Sequence, residues 1–581
     1  MTKVNEPHNI PKYNRELLGS KDSITCIGKG QFGGKANGLV FIQNVILEKF
    51  KHDDFTDIHI SVPKMIVLCT DVFDEFMAAN NLYEIALSDS ADTRIAHAFQ
   101  KANLPSEMVG DLWSMIANVH IPLAIRSSSM LEDAIYEPFA GIYATKMIAN
   151  NQLETVTRFN KLVEAVKFVY ASTYFRKAKN YFKAVNRSIS EEKMAVIVQE
   201  VVGHRHGNRY YPNISGVARS YNYYPLGHAS PDEGVAELAL GLGRTIVDEG
   251  ISWNYSPAYP HANPPFNSVN DLMKNSQNSY WAVNMGSIAD YDPVKETEYL
   301  VKCNLAEAEK DGVLNLLASS YDYHSDRLYS GTFGNFPRVL TFAPVLQMNE
   351  LPLNDVVKSL LQLSQQEVGT SVEMEFALSI NPANNVRASL GFLQVRPMVV
   401  SADEVDITQS EMTGDDVLLA SETVMGNGIC TTISNIVYVK PDRFRKESAR
   451  DIVKELEQIN LDLRTDGKRY LLIGFGRWGS RDPWLGIPVE WGQISSAKVI
   501  VESTLPEINV DLSQGTHFFH NINSFQVSYF SVHHSGKYKI DWDWLNQQPI
   551  LSDQQFVRHI QLASPIRVKV DGRSSKGVIQ K

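Results

Sequence analysis

Two stretches of the sequence gather side chains able to handle a phosphoryl group. Arg126-Ser127-Ser128-Ser129 follows an apolar run that reads as a strand, so a guanidinium and several hydroxyl and N–H donors emerge together at a strand end. Ligands of α/β sheets bind at such ends. A helix cap with an ion pair to Glu132 or Asp133 is an equal reading of the same residues. The second stretch is 372–400. With Asn384-Asn385 as the central residues of a hairpin turn, opposed residues sum to 769. Glu375 then faces Gln394 and Glu373 faces Arg396, and because i and i+2 share a face, all four lie on one surface. A carboxylate and an amide oxygen are hard ligands suited to Mg²⁺. An arginine beside them suits a phosphoryl group whose other oxygens the metal holds. The plain alternative is an exposed polar sheet face with one ion pair.

A third candidate is the glycine cluster near the start. Gly28-Lys29-Gly30-Gln31-Phe32-Gly33 satisfies GxGxxG, but the acids about 20 residues on, Asp53 and Asp54, precede the next strand instead of ending it, which misplaces them for a ribose. A Walker A loop also fails, since Ala36 stands where a hydroxyl would hold magnesium. What remains is a Gly33-Gly34 turn that presents Lys35 near a helix N-terminus, where backbone N–H groups and an ammonium can hold a phosphate. A helix-start turn with a solvated lysine is the alternative.

These groups need elements to position them. Leu39, Ile42, Val45, Ile46 and Phe50 fall on one helical face after the glycines. ISVPKMIVLCTDVFDEFMAANNL reads as a strand and a helix capped by Thr70 or Asp71. Residues 152–185 carry a long helical pattern, 194–202 reads as a strand buried on both faces, and 255–285 as a surface excursion rich in Pro, Asn, Ser and Tyr. Strands follow at 372–378 and 388–400. The expected organisation is a polar lead-in at 1–20, lobes at 21–200 and 201–400, an acidic linker at 401–416 and a C-terminal unit at 417–581. A chain of 581 residues that is 44% hydrophobic has ample material for several cores. Its net charge of -11, with no long Lys/Arg run, argues against nucleic acid as a partner. Scattered Cys26, Cys69, Cys303 and Cys430 suit a reducing compartment, and neither an apolar leader nor a membrane-length apolar run is present. A cytoplasmic protein with no membrane partner is the expectation.

Taken in order, these segments resemble the nucleotide-binding domain family of pyruvate phosphate dikinase and phosphoenolpyruvate synthase, shared with rifampicin phosphotransferase and glucan water dikinase. The resemblance is carried by Gly33-Gly34-Lys35-Ala36-Asn37-Gly38-Leu39, VPKMIVLCTDVFDEFMAANNL, AIRSSSMLEDAIYEPFAGIYATK, MAVIVQEVV with SGVARS, GLGRTIVDEG, and VEMEFAL with FLQVRP, across roughly residues 20–400. It implies an α/β (α+β) fold with two ATP-grasp-like lobes and ATP between them. Lys35 and Arg126 would contact ATP phosphates, Gly141 to Thr145 would lie over them, and Gln199, Glu200 and Val202 would border the adenine. Glu375 and Gln394 would hold Mg²⁺, and Arg396 would stabilise the transferring phosphoryl. Arg244 departs from the family, which commonly has an acid after Gly-Leu-Gly.

The residues beyond 400 are too few for both a swivelling domain and a phosphoenolpyruvate-binding barrel, so the complete synthase or dikinase reaction is not expected. GNGICTTISNIVYV resembles the opening hairpin of a swivelling phosphohistidine domain, and the order of later strands nominates His517 as a phosphoryl carrier. A histidine bonded within an aromatic loop, beside Phe518 and Phe519, is the alternative. His204/His206 and His517/His520 have spacings a metal could use, without a carboxylate or cysteine to complete a set. GFGRWGSRDPW reads either as a second anion site lined by Arg477, Arg481, Trp478 and Trp484 or as a packed tryptophan corner. Three functions compete: an ATP- and Mg²⁺-dependent phosphotransferase with an unknown acceptor, a non-catalytic ATP-binding regulator or adaptor that binds a partner protein, and an ATP-grasp ligase.

Overall fold

The computed structural model describes residues 10–15, 23–132, 141–185, 187–223, 225, 229–247, 250–262, 269–274, 276–287, 291–380, 387–398, 405–480, 484–506 and 526–581. The architecture is mixed α/β, as expected, and is built on three main sheets.

The first sheet has five strands in the spatial order Ile24–Ile27, Met65–Leu68, Met194–Glu200, Leu123–Ser129, Thr145–Ile148. Ile24–Ile27 and Met65–Leu68 pair in parallel and the other neighbours antiparallel. Met194–Glu200 is central and almost wholly buried, matching its unbroken apolar run. The helical pattern of 152–185 divides into Thr155–Ser172 and Arg176–Ala184. The first of these packs against the helices Asp92–Lys101 and Ser106–Asn118 and against the sheet.

The second sheet has six strands in the order Trp253–Tyr255, Val235–Ala239, Ile214–Arg219, Val372–Ile380, Ala388–Pro397, Ile58–Ser61. All pairs are antiparallel except the last. The segment read as one strand is therefore two. Ile58–Ser61 joins the second sheet and Met65–Leu68 the first, with Pro63 between them, whose missing N–H cannot continue a ladder. The helix Gly33–Phe41 runs on through a π-helical turn, and Leu39, Ile42, Ile46 and Phe50 are buried in the core between the sheets, with Val45 packed against it. The excursion at 255–285 is corrected in part: Ser279–Asn284 is a strand pairing with Leu300–Asn304 and Arg209–Tyr211, because its alternate residues Tyr280 and Ala282 are fully buried.

Among the described residues, the chain beyond 416 forms a nine-stranded mixed sheet. GNGICTTISNIVYV is not a hairpin of its own but lies largely in one long strand, Asn427–Val439, which pairs with Val557–Asp571 on one side and Tyr470–Phe475 on the other. In the described part of the acidic stretch, Val405, Ile407 and Met412 are buried against Ala420 and Val578, so these residues are packed against the sheet. The turn Trp491–Gln493 packs on the Arg176–Ala184 helix, where a Cβ on Gly492 would sit 3.0 Å from Asn180 Cβ. Among the described residues no helix is long and apolar enough to cross a membrane.

Candidate functional site

Arg126 is the middle residue of the Leu123–Ser129 strand, which corrects the expected strand end, since Ser127, Ser128 and Ser129 stay in the ladder opposite Val196, Ala195 and Met194; its guanidinium leaves the first sheet for the second. Its Nη1 donates to Gln199 Oε1 at 3.1 Å and to Leu393 O at 3.1 Å, and its Nη2 to Gln394 Oε1 at 3.2 Å. The Glu375 carboxylate lies 3.9 Å from the same Nη2, an ion pair too long for a hydrogen bond. One arginine thus gathers Gln199 from the first sheet and Glu375 and Gln394 from the second.

The hairpin register holds where it matters. Glu373 opposes Arg396 and Glu375 opposes Gln394; a bulge between Glu375 and Phe376 then shifts the pairing, so that Phe376 opposes Phe392. The Asn384-Asn385 turn lies outside the described residues. Glu375 and Gln394 present two hard oxygens from neighbouring strands. Among the described residues the one ion-pair partner of Glu375 is the distant Arg126, so the carboxylate oxygens are not saturated by cations. That donor set fits Mg²⁺, which takes one or two protein oxygens and completes its shell with phosphates and water. Among the described residues no cluster of three or more His, Cys, Asp or Glu forms a metal cage.

Arg396 belongs to a buried charge network. Glu373 Oε1 accepts from Arg396 Nε at 2.7 Å and from its Nη2, while Glu373 Oε2 accepts from Arg219 Nε at 2.6 Å. Arg219 also pairs with Glu237, whose other oxygen accepts from Ser252 Oγ at 3.0 Å. Burial works against the Arg219 charge, but Glu373 and Glu237 outweigh it and hold its pKa above the ordinary value. Removing Glu373 would leave two arginines short of a counter-charge in a dry environment. Arg219 and Glu237 escape sequence reasoning because the contact from Arg219 to Glu373 spans 154 positions.

Lys35 approaches the other side of the strand end. It forms an ion pair with Glu132 and lies 3.5 Å from Ser127 Oγ. Glu132 is fixed in turn by Ser127 Oγ at 3.1 Å and Ser129 N at 3.1 Å. Ser128 caps the helix from across the fold: its Oγ accepts from Ala36 N at 3.0 Å and donates to Phe32 O at 2.8 Å. The expected ion pair to Glu132 is therefore made by Lys35 and not by Arg126, and the serines lie in the strand instead of capping a helix of their own. Gly33 has φ +75, and a Cβ there would stand 1.8 Å from Ser128 O, so only glycine allows this contact.

The GxGxxG turn itself is filled from within. Asp71 accepts from Lys29 N at 2.7 Å and Gly30 N at 2.8 Å, and Thr70 Oγ1 accepts from Gln31 N at 3.0 Å. An internal carboxylate takes the place an anion would hold in such a nest. This corrects the expected cap: the helix Thr70–Ala79 starts after Cys69 without a side-chain cap, because Thr70 and Asp71 are used on the glycine turn.

The remaining expected residues lie on strands and segments next to these. Thr145 directly opposes Arg126 in the strand pair, and its N–H donates to Glu296 at 3.3 Å. Next to it the buried Lys146 pairs with Glu298 at 2.7 Å, tying the Gly141–Thr145 segment to the chain before Leu300–Asn304. Gln199 opposes Ala124, and Glu200 opposes Leu123; burial raises the Glu200 pKa and Lys64 offsets part of this. Val202 lies against the second sheet, its Cγ2 2.5 Å from where a Cβ of Gly391 would stand. Sequence reasoning missed Glu192, which is 5% exposed and packs near Glu132, Ser129 and Tyr143. Among the described residues neither of its oxygens accepts a hydrogen bond of good geometry, although Ser129, the Met130 N–H and Tyr143 are near enough to oppose part of the rise in its pKa. Burial pushes its carboxyl up to about 7, with the charge of Glu132 adding to the rise. His517 lies outside the described residues. In GFGRWGSRDPW, Trp478 is fully buried and donates Nε1–H to Val501 O at 3.1 Å, so that tryptophan is a packed corner.

The AMP/ATP-binding domain family of pyruvate phosphate dikinase matches residues 29–415, a span that contains Lys35, Arg126, Gln199, Glu375, Gln394 and Arg396. The chain belongs to that family. It is also similar to an uncharacterized phosphotransferase of Bacillus subtilis (strain 168), YvkC, with 26% identity over 191 residues. That match spans 33% of this chain and 20% of the relative, so the chain aligns with only a minor part of that protein. The family assignment makes this an ATP-binding domain protein, and Arg126 links its first and second sheets.

Proposed function

We propose that the chain is an ATP- and Mg²⁺-dependent phosphotransferase of the pyruvate phosphate dikinase and phosphoenolpyruvate synthase type. The observation that carries this reading is the convergence on Arg126 of Gln199, Glu375 and Gln394 from two sheets. A guanidinium placed between a hard-oxygen pair and the first sheet suits a polyphosphate bound across the cleft. In this reading Arg126 and Lys35 take phosphate oxygens, and Lys35 exchanges part of its pairing with Glu132 for the nucleotide. Gly141 to Thr145 cover the phosphates from the strand beside Arg126, and Gln199, Glu200 and Val202 border the base. Glu375 and Gln394 hold Mg²⁺, which supplies charge neutralisation to the phosphates. Arg396, oriented by Glu373, stabilises the charge that develops on the transferring group. A preset guanidinium needs no reorganisation when that charge appears, which is why a buried network around it is useful. The phosphotransferase name of the Bacillus relative supports the same class. A relay on His517 belongs to this proposal through the resemblance of the C-terminal unit to a phosphohistidine domain.

Purified protein with Mg²⁺ and ATP labelled at the β or γ phosphate tests the reading. AMP with phosphate as products, lost in Glu375→Gln, is the expected result. Acid-labile protein label from the β position, absent in His517→Ala, is expected for the relay. ATP binding without any turnover in the wild type would overturn the catalytic assignment, and ADP with an acyl adduct would replace it with ligation.

A further inference from the structure

Two buried carboxyl groups stand beside Lys35, and the proposed phosphate contacts use only the lysine. Ser129 opposes Met194 in the strand pair, so the residues after Ser129 and those before Met194 leave the first sheet at the same end. Glu132 lies on the first of these segments and Glu192 on the second. Glu132 is 2% exposed and Glu192 5%. A carboxylate held away from water needs a cation or several donors, and the two are provided for very differently. Glu132 pairs with Lys35 and accepts from Ser127 Oγ and Ser129 N, both at 3.1 Å. Among the described residues neither oxygen of Glu192 accepts a hydrogen bond of good geometry.

The strongest influences on Glu192 include no cation. Glu132 adds negative charge from its side of the strand end, while the Ser129 and Tyr143 hydroxyls and the Met130 N–H face the carboxyl as donors. Tyr174, just past the Thr155–Ser172 helix, also feels the Glu192 charge. Burial and negative neighbours hold both tyrosines above their ordinary pKa, so they stay neutral. Lys193, next in the chain, is taken by Asp74 at the surface. Against the pull of the three donors, burial and Glu132 push the Glu192 carboxyl up to about 7, which lets it gain or lose its proton near neutral pH.

On the reading that Lys35 takes phosphate oxygens, we propose that Glu192 is a positioning residue of the nucleotide site that takes up a proton from solvent as the phosphates draw Lys35 off Glu132. Two changes act in the same direction. The phosphates bring negative charge to Lys35, and Glu132, left with less of its counter-charge, becomes a nearly bare carboxylate beside Glu192. Two like charges in a dry site repel, and one proton removes the repulsion. Tyr143 belongs to the Gly141–Thr145 segment assigned to cover the phosphates, so the group that faces Glu192 also belongs to the cover of the nucleotide. By reciprocity, a neutral Glu192 strengthens nucleotide binding by the same factor by which the nucleotide favours the proton.

Calorimetric titration of the full chain with ATP and Mg²⁺ at pH 6 and pH 8, wild type against Glu192→Gln, tests this, with melting temperature as the folding control. Glutamine has the shape of the neutral acid, and comparison at each pH cancels the titration of ATP itself. A preference of about tenfold to a hundredfold for the protonated form predicts similar affinities at pH 6 and a Glu192→Gln variant that binds about five- to tenfold tighter than wild type at pH 8. A merely structural role would move the melting temperature without opening that gap. Wild-type titrations at pH 8 in buffers of different ionisation enthalpy count the protons directly, and about 0.4 to 0.8 taken up per ATP is expected. That count decides the matter even if the variant does not fold. An affinity ratio that is the same at both pH values, or ATP binding without proton uptake, overturns the proposal and leaves the nucleotide site standing. Uptake undiminished in Lys35→Met also overturns it, since no lysine is then drawn from Glu132. No ATP binding by the wild type overturns both the proposal and the reading on which it rests.

Discussion

Substituting Glu192 by glutamine has a consequence for stability that depends on pH in a calculable way. The carboxyl is 5% exposed, lacks hydrogen-bond donors of good geometry among the described residues and has its pKa raised from an ordinary 4.5 to about 7, mainly by burial and against the pull of Ser129, the Met130 N–H and Tyr143. A carboxyl with a higher pKa folded than unfolded binds its proton more tightly in the native state. Below the unfolded pKa both states hold the proton and no penalty arises. As pH climbs through the window from 4.5 to about 7 the unfolded chain ionises first, so native stability falls, and above it the whole penalty is in place. At roughly 1.4 kcal/mol per unit, the penalty is about 1 kcal/mol at pH 5 and about 3 kcal/mol at pH 8. Glutamine has the shape of the neutral acid and cannot ionise. Glu192→Gln should therefore gain about 2 kcal/mol more over the wild type at pH 8 than at pH 5. Because several cores are present, the readout is native-state hydrogen exchange of the adjacent Met194–Glu200 strand at the two pH values, supported by melting curves. An advantage that is the same at both pH values, or larger at pH 5, would refute the burial argument.

Other perturbations follow from the same geometry. Asp71→Ala removes the acceptor of the Lys29 and Gly30 N–H groups and should cost about 1–3 kcal/mol in denaturant unfolding while leaving ATP affinity unchanged, since the glycine turn is a structural nest. Glu373→Gln should destabilise by about 3–5 kcal/mol, because it strips a shared counter-charge from Arg219 and Arg396; a loss within experimental error of zero would contradict the network. Gly33→Ala combines a positive φ with a Cβ 1.8 Å from Ser128 O, and a soluble variant with wild-type melting would show that the helix start can shift at no cost.

The local chemistry of the hairpin was legible in sequence because side-chain alternation and a two-residue turn determine which residues oppose. That rule places Glu373 against Arg396 and Glu375 against Gln394 correctly. It fails beyond Glu375, where a bulge inserts a residue without leaving a mark in the apolar pattern. The six family segments were legible for a similar reason, since each is a short strand or turn with a distinctive residue type. Long-range contacts were not. Nothing near Arg219 signals Glu373, nothing near Glu192 signals Glu132 or Tyr143, and the assignment of Ile58–Ser61 and Met65–Leu68 to different sheets depends on partners far along the chain. Thr70 and Asp71 look like helix caps by type and position, yet the glycine turn, some forty residues earlier, competes for them and wins because it offers three N–H donors at once.

The central claim is that Arg126 holds a nucleotide where the two sheets meet. Equilibrium titration of ATP with Mg²⁺ against the wild type and Arg126→Met tests it most directly, with melting temperature as the folding control. Loss of a charge-assisted contact to phosphate predicts an affinity lower by about tenfold to a hundredfold in the variant. An unchanged affinity in a folded Arg126→Met protein would place ATP elsewhere and contradict the account.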